Sequence, residues 1–230
     1  MASEKELVKL HQSIIQCDLC PRLVTWRKQV AQEKVKRFAE EEYWGKPIPG
    51  FGDPRARLVI VGLAPAAHGA NRTGRMFTGD RSGDWLFRSL HRFGFANQPN
   101  ASHRHDGLTL RDCYITAALH CAPPQNKPTA DEKANCFTFL EQELVQFSQI
   151  RVIVALGKIA FETVLKCCKK MDWLKSQERP VFSHDAEYTL RNDVKLIASY
   201  HPSQQNTFTR KLTEPMFDAI FARAMKHIAK

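Results

Sequence analysis

The chain has 230 residues, of which 43% are hydrophobic, and its formal net charge is +10 at pH 7. This hydrophobic fraction argues against wholesale disorder, and no apolar run approaches the ~20 residues that span a bilayer. The N-terminus lacks an apolar signal-peptide core, which predicts a cytoplasmic location or, in a nucleated cell, a nuclear one. The positive charge favours a polyanionic partner such as nucleic acid, but a basic enzyme without such a partner has the same composition.

The predicted elements alternate between helices and buried strands. Residues 4–16 have the spacing of an amphipathic helix, and residues 22–42 are charged and compatible with a helix. Continuous apolar runs predict strands that start at residue 58 and span 112–119, 152–156 and 195–199, and helices are predicted over 82–93, 130–147, 157–168 and from residue 214. This alternation predicts an α/β fold with three α/β/α layers around a central four-stranded parallel sheet.

Three of the four predicted strands end in long polar loops. These loops follow Val61, Leu119 and Tyr200, and they are rich in glycine, proline or polar residues. Because ligands bind at the carboxyl ends of the strands in an open parallel sheet, the residues of these loops should converge on one site. Neither a GxGxxG fingerprint nor a P-loop follows any of the strands, which argues against a nucleotide-binding enzyme of the Rossmann type.

The chain contains seven cysteines, two of which form a Cys17-Asp-Leu-Cys20 pair followed by proline. Without a secretion signal, metal binding or buried thiols are better interpretations than disulfides. On its own, the pair is about equally consistent with a metal or cluster site and with two inert thiols. Basic residues in the predicted second helix are either phosphate contacts or a solvated helical face; they are Arg27, Lys28, Lys34, Lys36 and Arg37.

Three loops carry motifs specific enough to indicate a family. The first runs from Gly62 to Asp80 and contains Ala-Pro-Ala-Ala-His-Gly-Ala-Asn-Arg-Thr-Gly-Arg-Met-Phe-Thr-Gly. The second is the Cys-Ala-Pro-Pro-Gln-Asn-Lys-Pro loop, and the third begins Tyr-His-Pro-Ser at residue 200. Together, and in the expected order on matching strand ends, they closely resemble family 5 (type b) of the uracil-DNA glycosylase superfamily.

The resemblance implies an activity. It implies a monofunctional glycosylase that hydrolyses the N-glycosidic bond of uracil in double-stranded DNA, the first step of base excision repair. No linker in the sequence is convincing enough to divide the chain, so we expect a single domain over residues 1–230, and we expect a monomer that acts on double-stranded DNA in the cytoplasm, with the nucleoid. The alternative from another class is a non-catalytic iron–sulfur protein that binds DNA lesions without cleaving them.

The resemblance also implies three catalytic residues. Leu63 and Ala64 occupy the region where most of the superfamily carries an acidic or amide side chain; in the family that this chain resembles, an asparagine of the proline-rich loop holds the attacking water instead, and the matching residue here is Asn126. Asp80 would stabilise the sugar cation, and His201 would donate a hydrogen bond to the departing base. Structural interpretations also exist for each: a turn asparagine, a helix-capping aspartate and a histidine restrained by the following proline.

Base recognition is assigned in the same way. Phe77 would stack on the base, with an ordinary core aromatic as the alternative, and the backbone around Ala64, Ala66 and Ala67 would contact it. Ala117 stands where the related family 4 has an asparagine that reads uracil. Because the loss of an amide contact weakens discrimination, we expect other deaminated bases such as hypoxanthine and xanthine to be substrates.

The last two expectations concern the residues that contact DNA and a bound cofactor. The residues expected to contact DNA follow the third motif; they are Ser203, Gln204, Gln205, Asn206, Arg210 and Lys211. The resemblance implies a [4Fe–4S] cluster held by Cys17, Cys20, Cys121 and Cys136, which would tie the N-terminal helix to the domain. Four thiolates also suit tetrahedral zinc, and the spacing alone does not separate the two metals.

Overall fold

The computed structural model describes residues 4–174 and 179–229 and contains a six-stranded mixed sheet. Its strand order is β1-β3-β2-β4-β6-β5. The strands are β1 (Phe51–Gly52), β2 (Leu58–Gly62), β3 (Cys113–Ala117), β4 (Val152–Leu156), β5 (Glu187–Thr189) and β6 (Lys195–Ser199). The four central strands are parallel, and β1 and β5 pair antiparallel to the two edges.

Helices cover both faces of this sheet. They are α1 (Glu4–Ile15), α2 (Pro21–Glu33), α3 (Ala70–Thr73), α4 (Arg81–Arg92), α5 (Ala130–Gln146), α6 (Lys158–Lys170), α7 (Gln204–Phe208) and α8 (Glu214–Ile228). The central strands are buried along almost their whole length, as their continuous apolar sequences require. No helix in the described ranges is both long enough and apolar enough to cross a bilayer.

The alternation of side chains along the strands divides the core into two layers. On one face of the sheet, Leu58 and Ile60 of β2 pack with side chains of α4 and α8, such as Leu86 and Phe217. On the other face, Val59 belongs to a cluster with residues of α1, α5 and α6. The α/β fold with helices on both sides of parallel strands is therefore confirmed.

Three details of the predicted fold need correction. The sheet has six strands rather than four, because the antiparallel edge strands are two and three residues long and lack a detectable hydrophobic period. The segment after His201 contains the short helix α7, which the sequence analysis treated as a loop. The predicted second helix ends at Glu33 rather than continuing to residue 42.

The start of α4 determines the position of the long first loop. The N-cap is Asp80, whose Oδ1 accepts a hydrogen bond of 3.0 Å from the backbone N–H of Gly83, so the helix begins at Arg81, one residue earlier than predicted. Gly83 itself packs directly against the backbone of Phe77, and a Cβ at this position would overlap the Phe77 carbonyl oxygen. The first loop therefore packs against α4 at Gly83, where the backbone of Phe77 leaves no room for a side chain.

Replacing Gly83 by alanine should destabilise the fold. Because the atom that the new methyl group meets is backbone, relief requires moving the loop, and we expect a loss of about 3 kcal/mol in the free energy of unfolding. Urea unfolding would measure it. Gly94→Ala is the control: nothing lies within 4 Å of its added Cβ, and only the strain of its φ of +76° remains, which costs about 1 kcal/mol. Equal losses in the two variants would contradict the steric explanation.

Candidate active site

The loops that follow the parallel strands surround a pocket of about 570 Å³. It lies at the carboxyl ends of the strands, where the sequence analysis expected the three loops to meet. Its lining residues come from all three motifs; they are Leu63, Ala64, Ala66, Met76, Phe77, Asp80, Arg81, Ser82, Gln125, Asn126, His201, Ser203, Gln204 and Gln205. A wider cleft of about 1050 Å³ adjoins it and shares Asp80, Asn126 and Gln204 with it.

Two buried arginines hold the first loop in shape. The Arg72 side chain donates hydrogen bonds to the carbonyl oxygens of His68 and Gly79, at 2.8 and 3.0 Å, and pairs with Glu41. The Arg75 side chain donates to both carboxylate oxygens of Asp106, at 2.9 and 2.8 Å. The sequence analysis missed both, because arginine in a polar loop gives no signal of burial.

Phe77 occupies a strained position at the bottom of this loop. Its φ is +54°, a left-handed conformation that bulky side chains adopt rarely. Its ring lies against the backbone of Gly62, where an added Cβ would come within 2.8 Å of the ring. The ring also faces His201 at a centroid distance of 5.9 Å with the planes 26° apart. Phe77 thus presents an aromatic ring beside a polar group in the pocket.

His201 is held in the pocket in its neutral form. Burial lowers the pKa of His201 to about 4, so the imidazole is uncharged at neutral pH. The Asn206 side chain donates a hydrogen bond of 2.9 Å to the His201 carbonyl oxygen, which fixes the backbone that carries the ring. A neutral imidazole has one N–H donor, which suits a partner that develops negative charge.

Asp80 combines a capping role with a position in the pocket. Burial raises the pKa of Asp80, and hydrogen bonds from the backbone N–H groups of Gly83 and Ser82 partly offset this effect. Its other carboxylate oxygen, Oδ2, packs against Gly69, where a side chain would collide with it. Asp80 therefore caps α4, as the sequence analysis considered. It also lines both the pocket and the cleft.

Asn126 lines the pocket from the second motif and has an unusual backbone conformation. Gln125 and Asn126 are consecutive left-handed residues, with φ of +54° and +57°, within a short 3₁₀ turn over Pro124–Asn126. Asparagine tolerates this conformation better than most residues. The exposed amide of Asn126 lines the pocket together with Asp80 and His201, so the structure brings the three predicted catalytic residues to one cavity.

Only two of the four alanines predicted to bind the base line the pocket. Ala64 and Ala66 line the pocket, whereas Ala67 lines the adjoining cleft. Ala117 is 1% exposed and does not line this pocket. It is paired in register with Gly62, the residue beneath the Phe77 ring, so it lies one strand away from that ring.

The predicted DNA-contacting residues surround α7. Ser203 caps this helix by accepting a hydrogen bond of 3.4 Å from the Asn206 backbone, and Gln204 and Gln205 are exposed at the pocket. Arg210 is exposed with a φ of +57°. Lys211 lies with its Nζ 4.7 Å from the centroid of the Tyr200 ring, on a second cavity beyond His201.

The second cavity holds about 580 Å³ and was not predicted from the sequence. His201 and Leu63 separate it from the first pocket, since both residues line the two spaces. The start of α6 contributes Gly157 and Lys158 to it. Gly157 could have indicated this cavity, because it opens a helix directly after a buried strand. The backbone N–H groups at such a helix N-terminus are free to bind a ligand.

The four predicted cysteine ligands line a separate cavity between α2, α5 and the second motif. These residues are Cys17, Cys20, Cys121 and Cys136. Polar groups point at the sulfurs: the backbone N–H of His120 donates to Cys136 Sγ at 3.3 Å, and the Asn135 side chain donates to Cys20 Sγ at 3.5 Å. Within residues 4–174 and 179–229, no three His, Cys, Asp or Glu side chains converge on a point that would hold one metal ion. The thiols surround a shared space instead.

Burial and mutual repulsion act on these thiols. Burial raises the pKa of Cys121 to about 12, with further contributions from Cys17 and Cys20 and an opposing one from Arg27. Arg27 is 5% exposed, and its guanidinium donates to the carbonyl oxygen of Gly45 at 2.6 Å. Both interpretations of Arg27, as a phosphate contact and as part of a solvated helical face, were therefore wrong, because its charge is buried beside the cysteines.

Comparison with known proteins agrees with this geometry. A family model described as the uracil DNA glycosylase superfamily matches residues 49–224. The type-5 uracil-DNA glycosylase of Mycobacterium leprae is 49% identical over 219 residues, which cover 95% of this chain and 94% of the relative. That of Thermus thermophilus is 47% identical over 215 residues, covering 94% and 95%. The type-4 enzyme of Thermotoga maritima is 31% identical over 157 residues, 68% of this chain and 69% of its own.

The chain therefore belongs to the uracil-DNA glycosylase superfamily, a class of hydrolases that act on N-glycosyl bonds. The type-5 relatives align along almost its whole length, whereas the type-4 relative aligns over about two thirds of it. Within the superfamily, the chain stands with the type-5 uracil-DNA glycosylases.

Proposed function

We propose that this enzyme removes uracil and other deaminated bases from double-stranded DNA by hydrolysis. The observation that carries the proposal is the convergence of Phe77, Asp80, Asn126 and His201 on one pocket at the carboxyl edge of the sheet. A base inside a duplex is out of reach, so the target nucleotide must leave the stack and enter this pocket. The net charge of +10 favours binding to the phosphate backbone.

Departure of the base is the first half of the reaction. As the bond between the sugar C1′ and the base nitrogen breaks, its electron pair moves onto the base, where a carbonyl oxygen gains negative charge. The neutral His201 supplies an N–H donor for that oxygen, and the Phe77 ring supplies a surface on which the base stacks. Preorganised donors of this kind are often the largest single contribution to such a rate.

Attack by water is the second half. The sugar becomes an oxocarbenium-like cation, and the Asp80 carboxylate stabilises it electrostatically. The Asn126 amide orients a water molecule for attack on C1′. As the abasic sugar forms, this water loses a proton to solvent and the base anion takes up a proton from solvent, so that the products are the abasic sugar and the neutral free base. Among the described residues, no lysine lines this pocket, which supports direct hydrolysis over a Schiff-base route.

The activity is tested with duplex oligonucleotides that carry one uracil, one hypoxanthine or one xanthine, with an unmodified duplex as the control. After incubation and alkali, strand breaks at each lesion are the expected result. Tight binding to the lesion duplex without any abasic product would support the non-catalytic alternative. Strand breaks at uracil alone would restrict the proposed substrates to uracil and exclude hypoxanthine and xanthine.

The proposed range of bases depends on Ala117. The methyl side chain at this register position, beside Gly62, offers no hydrogen bond to a base edge. Ala117→Asn should therefore raise the ratio of the uracil rate to the hypoxanthine rate, measured under single-turnover conditions. Ala117→Ser is the control for a small polar side chain without an amide. An unchanged ratio in Ala117→Asn would contradict this part of the proposal.

The four-cysteine cavity supports the further proposal of a bound [4Fe–4S] cluster. Cys17, Cys20, Cys121 and Cys136 would be its ligands as thiolates, and the N–H donors of His120 and Asn135 would hydrogen-bond to the ligand sulfurs. The nearby Arg27 charge would offset part of the negative charge of the ligands. The cluster would link α2 and α5 and would stabilise the fold.

Metal analysis distinguishes the cluster from zinc. We expect the protein purified without air to contain about four iron and four sulfide per chain and to absorb in the visible range. Cys136→Ser should lose this absorption and unfold at a lower temperature, whereas Cys113→Ser, at a buried strand position outside the cavity, should keep it. If the analysis found one zinc per chain and no sulfide, the four cysteines would form a tetrahedral zinc site and the cluster proposal would be wrong.

A further inference from the structure

The turn that carries Asn126 has few hydrogen bonds to the rest of the protein. Within the turn, the Asn126 N–H donates to the Pro123 carbonyl oxygen at 3.1 Å, and the Lys127 N–H donates to the Pro124 carbonyl oxygen at 3.0 Å. Gln125, Asn126 and Lys127 are all exposed. A segment with few contacts and exposed backbone opens easily, so the turn needs an external attachment to keep the Asn126 amide at the pocket.

Arg22, the second residue of α2, supplies such an attachment. Its Nη2 donates a hydrogen bond of 3.1 Å to the carbonyl oxygen of Lys127, the residue that follows Asn126. In the described part of the chain, no other side chain exchanges a hydrogen bond with the backbone of residues 124–128. The two bonded residues are 105 positions apart in the sequence, so this bond links α2 to the second motif.

Glu132 fixes the direction of the Arg22 side chain. The guanidinium donates to both carboxylate oxygens of Glu132, each at 2.7 Å, and only 6% of the Glu132 side chain is exposed. Glu132 is itself held by the capping box at the start of α5, because its Oε2 accepts a hydrogen bond of 2.8 Å from the Thr129 N–H. Two parallel hydrogen bonds to a fixed carboxylate determine the orientation of a guanidinium as well as its position.

We propose that Arg22 positions the turn over Pro124–Asn126 so that the Asn126 amide stays where it orients the attacking water. This inference rests on the proposed function and adds a positioning residue that lies outside the three motifs. Glu132 also lines the four-cysteine cavity, and Arg22 follows Cys20 by two residues. The contact thus connects the first cysteine-containing segment to the catalytic turn.

The surroundings of Arg22 argue against a direct contact with a DNA phosphate. Its guanidinium makes three hydrogen bonds to protein oxygens, two of them to a carboxylate. Arg22 lines neither the pocket nor the adjoining cleft. A phosphate that bound this guanidinium would have to compete with the Glu132 carboxylate, which is already in the bidentate geometry that arginine favours.

A double-mutant cycle tests the proposal. Arg22→Ala should lower the single-turnover rate of uracil removal at saturating enzyme about tenfold, because even a small misplacement of a group at the reacting centre is costly. In the Asn126→Ala background, the same substitution should change the rate less than twofold, since the amide that Arg22 positions is absent. A merely structural role would lower the rate equally in both backgrounds, and equal losses would overturn the proposal.

Binding measurements separate positioning from a phosphate contact. The enzyme concentration that gives half of the maximal single-turnover rate should be the same for Arg22→Ala and the wild type. Lys133→Ala, which removes an exposed positive charge directly after Glu132, is the control and should keep the wild-type rate. Weaker binding of the duplex by Arg22→Ala with an unchanged maximal rate would make Arg22 a phosphate contact and would overturn the proposal.

A second variant covers the case in which Arg22→Ala does not fold, since it leaves the nearly buried Glu132 carboxylate without its partner. Arg22→Lys keeps the positive charge, but an ammonium lacks the planar fork that reaches the carboxylate and the Lys127 carbonyl together. It should therefore fold and still lose rate, and a wild-type rate in this variant would overturn the proposal. If instead the wild-type enzyme produced no abasic sites in any duplex, the proposed function itself would fail, so the two failures are distinguishable.

Discussion

Asn126→Ala should lower the rate of uracil removal from duplex DNA by about 10²-fold or more, because losing one preorganised polar group at a reacting centre has effects of this size. The loss should appear in the single-turnover rate constant at saturating enzyme, since the amide acts on the water and not on the binding of the duplex. Quantifying alkali-labile strand breaks over time measures it. Binding of the lesion duplex should change little.

The neighbouring residue provides a matched control for this experiment. Gln125 has nearly the same left-handed backbone conformation as Asn126, so Gln125→Ala carries a similar conformational cost in the same 3₁₀ turn. It also removes one amide. A much smaller loss of rate is expected in this variant. If the two substitutions lowered the rate equally, the effect would belong to the shape of the turn and not to the Asn126 amide.

Asp80→Asn should lower the rate by about 10²-fold while leaving the stability of the fold nearly unchanged. The reason is that Asn and Asp cap helices almost equally well, so α4 keeps its N-cap, whereas the negative charge beside the sugar cation is lost. Single-turnover kinetics and urea unfolding measure the two effects on one protein. Asp80→Ala should lose the rate and, in addition, about 1 kcal/mol of stability through the missing cap.

The pH profile gives a further check on the charge of Asp80. Burial raises the pKa of Asp80, so the active ionised form is lost at a higher pH than for an exposed aspartate as the solution is acidified. The wild-type rate should therefore fall as the pH is lowered. In the Asp80→Asn variant, the part of this fall that is caused by protonation of Asp80 should be absent. A variant as active as the wild type would leave Asp80 with only its capping role.

The central sheet could be predicted because each strand carries its own evidence. Leu58–Gly62 and Val152–Leu156 are short continuous apolar runs, a pattern expected of strands covered on both faces, and their short length favours a strand over a helix. The edge strands carry no such evidence. Glu187–Thr189 has three partly exposed residues, and only its pairing with β6 makes it a strand.

The site could be predicted only as far as strand ends and motifs determine it. The rule that loops meet at the carboxyl edge of a parallel sheet brought Asp80, Asn126 and His201 together without any knowledge of distances. Contacts between distant segments were out of reach. Nothing in the sequence indicates that Arg75 is buried against Asp106, that Arg27 points to the cysteines, or that Arg81 stacks on Phe208.

The two buried arginines of the first loop bear on attempts to transplant this site. The motif from Gly62 to Asp80 looks self-contained, but its conformation depends on carboxylates outside it: Glu41 for Arg72 and Asp106 for Arg75. A graft of the motif alone into another scaffold would leave two guanidinium groups without their carboxylate partners inside a protein. The strained Phe77 would then relax. The smallest portable unit of this active site therefore includes segments that carry no catalytic residue.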